Sequence, residues 1–210
     1  MGNASDPVGH PSLETTLVAP VSGLEPDPAL EKYVRGFDAV GRDVAALVDG
    51  LTDAQLNWRP SEGRWSIAEC VAHLTASGNL YLFPLDRVIQ RGFDRAMFGG
   101  REFHPGWFGR LLIAQMEPPP RRRMRASKKI LPQRVESGGR LVADFDAMHR
   151  GLIDRVRKAT GLDLSRVKIR SPIVPLLRMP LGTCFAFLLA HERRHLWQAR
   201  QVRQEVGFPQ

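Results

Sequence analysis

The stretch from Leu181 to Val206, LGTCFAFLLAHERRHLWQARQVRQEV, constrains this chain more than any other. Stepped at about 100° per residue, Leu181, Cys184, Phe185, Leu188, Ala199, Val202 and Val206 fall in one stripe, which predicts a long amphipathic helix. His191 and His195 lie in that stripe, four residues apart and therefore neighbours on one face. An imidazole in an apolar seam needs partners for its nitrogens, because burying an unpaired polar group costs about 1–3 kcal/mol. A metal ion would satisfy one nitrogen of each ring at once.

Three earlier stretches carry the same periodicity. Asp27-Pro28 reads as an N-cap followed by proline at the first helical position. Leu30, Tyr33, Val34, Phe37, Val40, Val44, Leu47 and Val48 then follow at helical spacing, and Gly50 closes the element. Thr52 with Gln55 forms a capping box on a short turn, which Arg59-Pro60 stops. Ser66 with Glu69 forms a second box, with Trp65 and Cys70 as its hydrophobic staple. The second long helix is expected from Ile67 to about Arg91, with Pro84 kinking it and His73 on the flank of its apolar stripe. A third runs from about Arg140 to Thr160 through Leu141, Phe145, Met148, Leu152, Val156 and Ala159, with His149 near its edge and Gly161 as its stop.

Between the second and third long helices, residues 92–139 lose the pattern, apart from a short helix expected at Trp107 to Met116. Aromatic residues Phe93, Phe98, Phe103, Trp107 and Phe108 concentrate there, to wall a pocket or to pin the segment to the core. So does the charge. Of the net +8, seven units come from RRRMRASKKILPQR, Arg121 to Arg134, which contains no acid, leaving +1 for the rest of the chain. That reads as an exposed basic loop rather than a basic fold, and charge without interleaved aromatics gives no specific nucleic-acid site. Residues 162–180 form a proline-punctuated connection with no credible sheet. The chain is thus expected to be all-α: a flexible arm over residues 1–26, then a four-helix bundle over 27–210 with its long crossover between the second and third helices.

Ligands in a bundle project inward from facing helices, so His73, His191 and His195 are candidates to meet at one end of the core. Here the residues carry a family resemblance. LNWRPSEGRWSIAECVAHL, whose helix reaches His73, resembles the first signature of the DinB-like (DinB/YfiT) superfamily, and LLAHERRHLWQARQV resembles the second. The resemblance spans about residues 28–206 and implies a four-helix bundle holding a divalent metal, zinc or nickel, through His73, His191 and His195. It also implies an activity on small-molecule substrates, as a metal-dependent hydrolase or as a transferase using a low-molecular-weight thiol. The opposing expectation is a non-catalytic metal-binding or dimerising bundle; a homodimer is the expected assembly.

The same letters admit one rival. His191-Glu192-Arg193-Arg194-His195 spells H-E-x-x-H, the zinc-protease helix whose glutamate is a general base. The longer metzincin pattern wants glycine at Gln198 and histidine at Gln201, and has neither. Glu192 stays the candidate proton acceptor, and Gln198 a candidate to orient a ligand ring. Cys70 and Cys184 read as buried free thiols, which makes a reducing cytoplasm the default. No signal-peptide pattern and no apolar run of membrane-spanning length is expected.

Overall fold

Asp27 caps the first helix as its sequence requires: its carboxylate accepts from the Ala29 amide at 2.9 Å, and α1 runs Pro28–Val48. The computed structural model describes residues 27–99, 102–120, 130, 137–174 and 176–210. The expected arm over 1–26 lies outside the described residues, as does the basic stretch except for Ile130. Both capping boxes form, Thr52 with Gln55 on α2 (Asp53–Asn57) and Ser66 with Glu69 on α3 (Ile67–Asp94). α4 (Trp107–Ala114) is the short helix of the crossover, α5 covers Gly138–Lys158, and α6 covers Leu181–Arg203.

The four long helices pack in a ring. α3 lies against α5 and α6, and α1 lies against the same two, so α1 and α3 stand on one diagonal and α5 and α6 on the other. Each long helix therefore has two neighbours and buries more than one stripe. Phe37, Ile67, Tyr81, Leu85, Phe145, Met148, Leu152, Leu181 and Phe185 fill the centre. α6 departs furthest from the expected single seam, since Thr183, Leu189, Ala190 and Leu196 are buried as well. Val206 is not in the seam: α6 ends at Arg203 and Val206 is fully exposed.

One expectation is corrected outright. The connection into α6 contains an antiparallel hairpin, β1 (Lys168–Arg170) with β2 (Arg178–Pro180), in which Ile169 pairs Met179 and both are buried. Strands of three residues complete barely one period-2 alternation, so the pattern has no length over which to emerge.

The crossover is tied to the bundle at several points. Phe103 is buried with its ring against Gly182, where an added Cβ would sit 2.4 Å from Cδ1. Glycine at the start of α6 is thus what lets the aromatic close on the helix. Arg194 Nη1 donates to the Gln115 carbonyl at 3.0 Å, and Arg193 pairs with Glu117 at 3.0 Å. Ile130 is buried as well, so the stretch expected to be a solvated loop enters the core at that residue. Phe93, Phe98, Trp107 and Phe108 stay exposed, and only Phe103 of the aromatic group pins the segment.

Candidate metal centre

His73 rises from the second turn of α3, and His191 and His195 from consecutive turns of α6, the helix beside it in the ring. The capping box at Ser66 sets where α3 begins and hence where His73 points. Glu69 completes that box and also takes both nitrogens of the Arg59 fork, Nε at 2.8 Å and Nη2 closer still. The pair holds the 58–66 loop over the helix ends, and that loop carries Trp65. The indole stacks on His195, with centroids 5.5 Å apart and planes 24° off parallel, and meets His73 at 4.8 Å. Trp65 was expected only as a staple; its larger role is to wall the histidines.

One ring nitrogen of each of the three histidines lies within 4.8 Å of those of the other two, and the Nε2 atoms of His73 and His191 are 3.2 Å apart. Their tautomers follow from the opposite ring edges. Nδ1 of His73 is 2.7 Å from the Ile130 carbonyl, which can only accept, so Nδ1 carries the proton and Nε2 the lone pair. Nδ1 of His195 donates in the same way to Gln198 Oε1 at 3.1 Å. Gln198 orients a ring, as expected of it. The Ile130 carbonyl was not foreseen, since a backbone group in an aperiodic loop leaves no side-chain signal. His191 is half-buried and lies parallel to Phe187, 6.3 Å away.

All three rings are held neutral. Burial lowers His73, against a partial rise from the Ile130 hydrogen bond. Burial first, then His73 and Arg194, brings His191 down to about 3. His195 is pushed well below the usual range by burial, then by His191, His73 and Arg194, with Gln198 offsetting part. In the unfolded chain each returns to about 6.5. Between those limits the unfolded state binds more protons, so the stability carried by the neutral rings is complete above about pH 6.5 and is lost as pH falls toward 3. Urea melts of metal-free protein should show a midpoint that falls steeply from pH 7 to pH 5. A His73→Leu, His195→Leu variant should flatten that fall.

The donor set fits a divalent cation. Ligation needs neutral imidazoles with an inward lone pair and a second nitrogen hydrogen-bonded outward, and His73 and His195 both show it. Two nitrogens sharing a tetrahedral ion at about 2.0–2.1 Å stand roughly 3.3 Å apart, close to the separation of the His73 and His191 nitrogens.

These two helices also carry the two signatures. A family comparison matches residues 37–199 to the DinB superfamily. The chain belongs to the DinB superfamily. No curated protein matches it. Among solved structures, YfiT from Bacillus subtilis, described as a probable metal-dependent hydrolase with an unusual four-helix bundle topology, is similar at a TM-score of 0.58 and 14% identity, covering 90% of this chain and 94% of that one. The DinB four-helix bundle expected from the sequence is therefore the fold observed.

Glu192 and His149 sit elsewhere in this DinB bundle. The Glu192 carboxylate does not join the three imidazoles; it crosses the core to His149 on α5, Oε2 to Nε2 at 3.3 Å. Both side chains are buried, and Phe37 and Phe145 pack around the imidazole. Burial raises the Glu192 carboxyl, and His149 draws it partly back. Cys70 and Cys184 are buried free thiols whose pKa burial pushes up, the opposite of an activated nucleophile. Among the described residues, no helix is long and apolar enough to cross a membrane.

Proposed function

We propose that the chain is a metal-dependent hydrolase of small molecules, with zinc or nickel held by His73, His191 and His195. The observation that supports this most is the pair of outward anchors, Ile130 O on His73 and Gln198 Oε1 on His195, which leave two lone pairs aimed at one point. Three protein ligands leave a fourth position for water or substrate, whereas structural zinc sites are closed by four. A bound zinc would lower the pKa of a coordinated water to about 7. The protein's own part is to fix the rings, through Ile130 and Gln198, and to shield them, through Trp65. Arg194, beside the rings and bonded to Gln115, adds a fixed positive charge that favours an anionic substrate group. The proton acceptor we leave to solvent or substrate, because the Glu192 carboxylate is turned to His149.

The same donor set would serve a thiolate instead of a hydroxide, which makes thiol-dependent S-transfer the second reading. A screen of zinc- and nickel-loaded protein separates them: simple esters and amides on one arm, small thiols with electrophiles on the other. Hydrolysis that disappears on chelation and in His191→Ala supports the first reading. Turnover only with added thiol supports the second. A loaded protein silent on both arms, with no exchangeable ligand on the metal, points to the non-catalytic bundle.

A further inference from the structure

Phe83 lies ten residues beyond His73 on α3, about 15 Å along the axis. From there the later turns of the helix and the β1–β2 hairpin line an open surface cavity of about 510 Å³. Five cationic side chains line it: Arg87 and Arg91 from α3, and Lys168, Arg170 and Arg178 from the hairpin, with Phe83 at its edge. No carboxylate lines the cavity, and none pairs with any of the five among the described residues. The nearby acids of α3 are engaged, Asp86 by Arg155 at 2.5 Å and Asp94 by Gln90 at 2.9 Å.

This arrangement opposes the fold's own stability. Arg170 pairs directly with Arg178 across the antiparallel ladder, and Lys168 shares their face, since Ile169 and Met179 turn inward. Like charges directly opposite in a sheet repel, as do like charges four apart on a helix, the spacing of Arg87 and Arg91. An anion among them would add an attraction to each cation that offsets these repulsions. Beside the cations the Phe83 ring is 68% exposed, with the Arg87 guanidinium 5.8 Å over its face. An aromatic face next to concentrated positive charge suits a ligand with a planar body and several negative charges. The cavity volume falls in the range of small-molecule sites, and all five cations line that one cavity.

We propose that this cavity binds a nucleotide polyphosphate, its phosphates among Arg87, Arg91, Lys168, Arg170 and Arg178 and its base on Phe83. The site is separate from the three imidazoles.

Calorimetric titration of the purified protein with ATP and with inorganic tripolyphosphate, at low ionic strength, tests this. Both should bind, ATP the tighter. The Arg170→Glu, Arg178→Glu variant should weaken both by at least about tenfold. Arg35→Glu with Arg140→Glu, an equal change of charge at exposed distant positions, should change them by less than about twofold. Phe83→Ala should weaken ATP by about tenfold and leave tripolyphosphate as it was. Thermal melts of each variant confirm the fold. Absence of ATP binding overturns the proposal. So does equal weakening in both charge-reversal variants, which is diffuse attraction, or unchanged binding in the hairpin variant, which puts the phosphates elsewhere. An unchanged ATP affinity in Phe83→Ala removes the nucleotide assignment, and far tighter, length-dependent binding of single-stranded oligothymidylate makes the face a nucleic-acid surface instead.

Discussion

Replacing His195 with alanine is expected to abolish uptake of zinc or nickel by the purified protein while leaving the bundle folded. Nε2 of His195 faces the other two rings, and its Nδ1 is held by Gln198, so alanine removes an oriented donor that nothing nearby replaces. Gln198→Ala should act through the ring and cost about 10–100-fold in metal affinity, the usual effect of losing an orienting hydrogen bond. His104→Ala is the control: that imidazole is 78% exposed, in the crossover, and its loss should leave the stoichiometry unchanged. Metal content by mass spectrometry after dialysis reads all three. Full metal content in His195→Ala would place the ion away from these rings.

Breaking the His149–Glu192 contact should be the most destabilising of the substitutions considered. Both side chains are almost fully buried, at 6% and 4% exposure, and they join α5 to α6 across the diagonal of the bundle. His149→Leu leaves a buried carboxyl facing only apolar groups, a change that typically costs about 1–3 kcal/mol. Adding Glu192→Leu should restore most of that loss, because two packed apolar groups replace the pair without an orphan. Denaturant unfolding of the two single variants and the double gives the coupling directly. Additive losses would mean that the pair does not interact. A drop in turnover with no drop in stability in Glu192→Gln would return Glu192 to the proton-transfer role expected from its place in H-E-x-x-H.

Most of the architecture was legible because the four long helices announce themselves twice, by periodic apolar residues and by caps. Asp27, Ser66 and Gly50 mark ends that the structure keeps within a few residues. The angular position of a side chain was legible too, but not which helix would stand opposite it. His73 lies about 60° off the Cys70 stripe and reads as a flank residue; it is 2% exposed because α3 has two neighbours, and that flank is the α6 interface. Glu192 is the converse case. Its place by the seam was readable, its partner on the diagonal helix was not. Trp65 and the Ile130 carbonyl lie in loops, where contacts depend on how the chain returns and no period encodes them.

X-ray absorption at the metal edge of zinc- or nickel-loaded protein tests the central claim most directly. Three neutral imidazoles and one exchangeable ligand predict a nitrogen-rich first shell, at about 2.0–2.1 Å for zinc, with the multiple-scattering signature of histidine. That imidazole component should vanish in His73→Ala, His191→Ala, His195→Ala protein. A first shell of carboxylate oxygens or thiolate sulfur, or an imidazole signal that survives the triple change, would contradict the assignment.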